Sequence, residues 1–151
     1  MLSIPATTIH REHDTQALIA TLLRHSLEPM SLEQLLDKTL DLLFSVPWLK
    51  IKAKGSIFLV ENDPEVLQLK VQRDLATPLL SACAKVAFGH CLCGRAAASG
   101  EIVYAGCVDH RHETRFDGMA AHGHVCVPIK YNGKEYHIIQ IVEVSYILSK
   151  E

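Results

Sequence analysis

One dipeptide, Asn132-Gly133, leaves this chain little choice of architecture near its C-terminal end. The type I′ two-residue hairpin turn needs positive φ at both central positions, and Asn and Gly tolerate that best. Apolar stretches flank the pair, so strands are predicted from His124 to Tyr131 and from Tyr136 to Leu148. An earlier pair repeats the pattern. Gly55 to Val60 reads GSIFLV, a short apolar strand, and Glu61-Asn62-Asp63-Pro64 is a turn. Val66 to Val71 then alternates, with Leu67, Leu69 and Val71 on one side and Gln68 and Lys70 on the other. Strands joined by turns this short pair antiparallel.

Upstream of Gly55 the period is that of a helix. Asp14 can cap a helix running to about Leu27, with Leu18, Ile19, Leu22 and Leu23 as a narrow apolar stripe. The dozen residues before it read as loose. Ser31-Leu32-Glu33-Gln34 is a capping-box pattern. The helix it opens carries Leu32, Leu35, Leu36, Leu40, Leu43 and Phe44 on one face, and Pro47 stops it. Short helices are predicted from Pro78 to about Ala84 and from Leu92 to Ser99, the second ended by Gly100. Ile102 to Tyr104 is a brief strand. Gly106 to Gly123 has no periodicity, and a long loop of this kind in a compact domain is usually functional. The order predicts an α+β fold with a central, largely antiparallel sheet and helices packed on one face. Residues 1–30 form an N-terminal helical segment, and residues 31–151 form the domain proper. Trp48 and Phe58 are core by pattern.

Bulk properties narrow the function. At 151 residues and 48% hydrophobic content the chain can build one apolar core. A net charge of -2 with no Lys/Arg stripe argues against nucleic acid as a partner. No apolar run approaches the roughly 18–20 residues of a membrane span. The N-terminus lacks the basic-then-apolar pattern of a secretory signal, so a cytoplasmic location is expected. Five cysteines with no such signal suggest reduced thiols or metal ligands rather than a disulfide framework.

Four of those cysteines and five of the nine histidines fall between His90 and Cys126. Cys91 and Cys93 stand at a predicted helix N-terminus, where the macrodipole favours a thiolate. They are metal ligands or redox thiols on one reading, and buried filler on the other. His122, His124 and Cys126 alternate by two, so on a strand they share a face. The metal reading takes Cys91, Cys93, His112, His122, His124 and Cys126 as candidate ligands, with zinc or iron as the ion. The competing reading has His122 and His124 bonded to loop backbone. His110 and His112 lie in the charged run from Asp109 to Arg115, either a solvated loop or a lid from which His112 or Arg115 reaches a ligand. His90 fits either class. Cys83 and Cys107 are expected to be structural.

Three segments together resemble the GAF domain, the small-molecule sensory module of bacterial signalling proteins. They are Gly55 to Val60, the Gly-x-x-x-x-Gly-x-Ala-Ala segment from Gly89 to Gly100, and Val125-Cys126-Val127-Pro128-Ile129 followed by Asn132-Gly133. The resemblance covers roughly Ser31 to Val144. The Cys-Leu-Cys-Gly segment and His122-Gly123-His124 are similar to a Cys/His-rich subset found beside kinase, phosphatase and diguanylate cyclase output domains. The strand after the turn departs from the family pattern in lacking its usual Gly, and the sequence stops at Glu151, where the family usually continues in a long helix, as expected of a stand-alone remnant or of a tail that has diverged or been cut.

The resemblance implies a pocket on one face of the sheet, covered by the Gly106–Gly123 loop. Arg95, His112, Arg115 and His124 are its candidate ligand contacts. It implies regulation rather than catalysis, and a kinase or cyclase output domain or partner. The apolar stripe of the N-terminal helix is too narrow for deep burial and fits a parallel helix pair, so a homodimer through that helix is expected. Two alternatives share the fold. One is a free methionine sulfoxide reductase, since Cys93-Gly94 resembles the reductases' Gly-x-Cys-Gly element and Cys91 or Cys126 could resolve an oxidised Cys93. In the reductases several acids and a further cysteine precede the Val-Pro strand, where this chain has one acid, Asp117, and two histidines. The other alternative is cyclic-nucleotide binding through Arg95, Arg111 and Arg115.

Overall fold

The computed structural model describes residues 6–49, 51–132 and 134–142. Helix α1 spans Ala6–Leu27 and α2 spans Leu32–Phe44. A 3-10 turn, Pro47–Leu49, leads into the hairpin of β1 (Gly55–Val60) and β2 (Val66–Arg73). Then come α3 (Thr77–Ala82), β3 (Lys85–Ala87), α4 (Cys91–Ser99) and β4 (Val103–Ala105). The second hairpin, β5 (His124–Tyr131) and β6 (Lys134–Val142), follows the long loop. The expected continuation of β6 to Leu148 lies outside the described residues. The six strands form one sheet in the order β3-β2-β1-β6-β5-β4, with every neighbouring pair antiparallel.

Local chemistry accounts for the long helices. The Ser31 hydroxyl accepts from the Gln34 backbone N–H at 3.2 Å, and the Gln34 side-chain oxygen accepts from the Ser31 N–H at 2.9 Å. Two of the four orphan donors at the start of α2 are thereby satisfied. Helix α1 begins eight residues before the expected cap, Asp14. No glycine or proline separates Ala6 from Asp14, and Thr15 bonds back to the Arg11 carbonyl, so nothing in that stretch opposes helix.

The two faces of the sheet carry separate cores. Ile57, Leu59 and Val71 meet Leu36, Leu40 and Phe44 of α2. Arg73 fastens this layer from β2 through ion pairs at 2.8 Å to both Asp37 and Asp41. On the opposite face, Phe58 and Leu67 pack with Leu92, Cys93, Ala96 and Ala97 of α4, together with Val86, Ala105 and Cys126. The expectation of helices on one face therefore holds for α2, on which α1 packs in turn, while α4 lies on the other face. Its alanines leave little side chain to keep the helix off the sheet. Gly94 takes this furthest, since a Cβ there would collide with the Ala87 carbonyl oxygen. The Gly89 N–H donates to the Gly94 carbonyl at 2.7 Å.

Leu69 and Val71 do not share a face as their alternation predicts. Ile57 pairs with Val71 but Phe58 pairs with Leu69, so Lys70 is an extra residue on β2. This β-bulge turns Val71 toward α2 while Leu67 and Leu69 stay with Phe58. Trp48 is half-buried rather than core, with the Arg11 guanidinium 5.8 Å from its ring centroid. Strand β3 has no counterpart in the sequence reading, because three residues are too few to show an alternation. No helix among the described residues is long and apolar enough to cross a membrane.

Candidate functional site

The site begins where β5 leaves the loop. His124 pairs with Ala105 and Cys126 with Val103 on β4, and both side chains are buried on the face that α4 covers. His122 enters two residues earlier. His112 comes from the middle of the loop, which bonds to itself to turn that ring inward. The Asp109 carboxylate accepts from the Arg111 N–H at 2.8 Å, and its carbonyl accepts from the His112 N–H at 3.1 Å. Arg111 also donates to the Tyr104 carbonyl at 3.0 Å, and Arg115 donates to the carbonyls of His112 and Asp109. These two guanidinium groups serve as struts for the loop.

Three imidazoles converge as a result. Nε2 of His112 lies 3.1 Å from Nε2 of His124. Ring centroids are separated by 5.5 Å for His112–His122, 4.7 Å for His112–His124 and 4.5 Å for His122–His124. One nitrogen from each ring falls within 4.8 Å of the other two. Nδ1 of His122 is 2.6 Å from the Ala120 carbonyl, which can only accept, so this nitrogen carries the proton. Nε2 of His122 is then left buried and without a hydrogen-bond partner among the described residues. His112 is only 4% exposed and His124 only 2%. Burial holds His112 below the ordinary imidazole value, helped by repulsion from His122. Burial, with repulsion from His122, His112 and Lys54, pushes His124 down to about 3. Both rings are neutral near pH 7.

The cysteines gather elsewhere. Sγ of Cys93 and Sγ of Cys126 are 3.6 Å apart inside the apolar core, and the contact with Cys126 together with burial pushes the Cys93 thiol well up. Cys91 is half-buried at the start of α4 with φ 53°, in the left-handed region. Cys91 is not part of the buried Cys93–Cys126 contact in the core. Of the six expected metal ligands, the three histidines form one group and Cys93 and Cys126 another. Cys107, expected to be structural, is exposed, as is His110.

Of the expected ligand contacts, Arg95 and Arg115 both bond to protein. Arg95 donates to Glu113 at 3.0 Å. Glu113 is the residue that the sequence reading missed. Its carboxylate also accepts the Cys91 N–H at 2.5 Å and approaches Nδ1 of His90 at 2.9 Å. These contacts, the Cys91 N–H foremost, hold its carboxyl below the usual range. His90 provides no side-chain cap for α4, so the loop supplies the anion that the helix terminus lacks. The missing cap was the available signal.

The sheet order, the α4 layer and the loop bearing the site can be compared with solved structures. The chain has the GAF fold. The GAF domain of a phosphoenolpyruvate-protein phosphotransferase from Coxiella burnetii superposes with a TM-score of 0.70 at 17% identity, covering 89% of this chain and 80% of that one. The A. aeolicus nlh2 GAF domain, in an inactive state, gives 0.68 at 14% identity, covering 89% and 82%. Free methionine-R-sulfoxide reductase from Neisseria meningitidis, in complex with its substrate, gives 0.65 at 18% identity, covering 95% and 78%. No protein-family model and no curated protein matches the sequence.

Proposed function

We propose that this chain is a regulatory sensory domain in bacterial signal transduction, whose sensing site is the 106–123 loop closed over His124. The convergence of His112, His122 and His124 beneath that loop carries the reading. A change at the site acts on the loop and, through Glu113, on α4. GAF neighbours include domains of phosphotransferase proteins, consistent with a module that serves a separate output, such as a kinase or cyclase. Helix α1 supplies a transmission surface for a homodimer. Leu18 and Leu22 are half-buried, while Ile19, Leu23 and Leu27 are exposed along one side.

Two observations weigh against the alternatives. Cys93 and Cys126 are buried, with the Cys93 thiol pushed up, the opposite of what a nucleophilic thiol needs. Arg95, Arg111 and Arg115 are engaged by Glu113, Asp109 and backbone carbonyls, which leaves them poorly placed for a phosphate.

The test uses the full chain. Sedimentation velocity should show a dimer. Glu113→Gln, which loosens the loop from α4, should change hydrogen exchange in α1 as well as in the loop. A monomer at all concentrations, with α1 exchange untouched by the substitution, overturns the sensory reading.

A further inference from the structure

We infer that His112, His122 and His124 are a three-imidazole site for a late first-row divalent metal ion, of the zinc or ferrous class, with no cysteine among its ligands. This deepens the sensory reading by naming what its site takes.

Geometry is the first support. Nitrogen ligands about 2.0–2.1 Å from a tetrahedral ion sit roughly 3.3 Å from each other. The His112–His124 nitrogen pair already stands at 3.1 Å, and a nitrogen of His122 lies within 4.8 Å of the other two rings' ligand atoms. The His122 tautomer is the second support. Its Nδ1–H is spent on the Ala120 carbonyl, the outer contact that orients a metal-bound imidazole, and its Nε2 is buried with no hydrogen-bond partner among the described residues.

The donor set selects the ion. Three neutral nitrogens suit zinc, ferrous iron, nickel or copper, and they are poor ligands for magnesium or calcium, which require oxygen. Cys93 and Cys126 lie 3.6 Å from each other in the apolar core and are not part of the three-histidine group. Three protein ligands leave a fourth position, as in zinc sites that bind water or an exogenous group. Neutral ligands also leave the ion's full double charge in a buried place, which favours a small anion at that position.

Chelator-treated full-length protein titrated with cobalt(II) tests this. The expected result is one ion per chain and visible ligand-field bands without a thiolate-to-cobalt charge-transfer band. Azide should shift those bands. His122→Ala, at a half-buried position, should abolish stoichiometric binding, and Cys91→Ser should leave it intact. Should His122→Ala fail to fold, X-ray absorption on the zinc-loaded wild-type chain decides, with only nitrogen and oxygen scatterers expected. A sulfur scatterer, a charge-transfer band, or binding that is absent or non-stoichiometric in the wild type overturns the site. Dimer formation and α1 exchange are read without any metal, so this proposal and the sensory reading fail separately.

Discussion

His124 is the residue whose chemistry reaches furthest. Its imidazole titrates near 6.5 in an unfolded chain and near 3 in the folded one. Between those values the unfolded state binds the proton and the native state does not, so stability rises with pH. His124 therefore contributes its full stability above about pH 6.5 and loses it as the pH falls toward 3, by at most about 1.4 kcal/mol per unit. Urea melts of the metal-free protein between pH 7 and 5 should show a falling midpoint, and His124→Gln should flatten that slope. An unchanged slope in the variant would place the acid sensitivity elsewhere. Gly94 makes a steric demand of similar sharpness. Gly94→Ala forces α4 away from the Ala87 carbonyl, and thermal denaturation should show a loss of about 1–3 kcal/mol, the usual cost of overpacking.

Elements show where sequence reasoning holds and where it stops. The capping box at Ser31 and the Asn132 turn were legible because each is settled by a few neighbouring residues. Asn132 does take a positive φ of 51°. The three-histidine grouping was only partly legible. Alternation put His122 and His124 on one face, but nothing local joined His112 to them in preference to Cys93 or Cys126. That choice is made by the Asp109, Arg111 and Arg115 bonds within the loop. The bulge at Lys70 was invisible, since a bulge is defined by the partner strand. In the α2 layer, Leu40 is fully buried against Ile57 and Leu59, and Leu40→Ala should cost about 2–5 kcal/mol in chemical denaturation. A loss below 1 kcal/mol would mean that α2 closes over the gap.

The molecule as a whole presents one surface that its own core does not use. Ile9, Ile19, Leu23 and Leu27 of α1 are each at least half exposed, and helical spacing sets them on one side. Paired with a second copy, they would be covered. Ile19→Glu with Leu23→Glu should convert a dimer to a folded monomer in sedimentation, with circular dichroism unchanged. If the double variant sediments as the parent does, these residues form no interface.

The strand order also sets a timetable for synthesis. Strands β1, β2 and β3 form one half of the sheet and β4 and β5 the other, and only β6 touches both. Gly55 waits for Ile141 before it has a neighbour on that side. A ribosome must therefore release nearly the whole domain before its two halves can be stitched together. Until then β1 and β5 each present a bare edge, which a chaperone or a neighbouring nascent chain can find first.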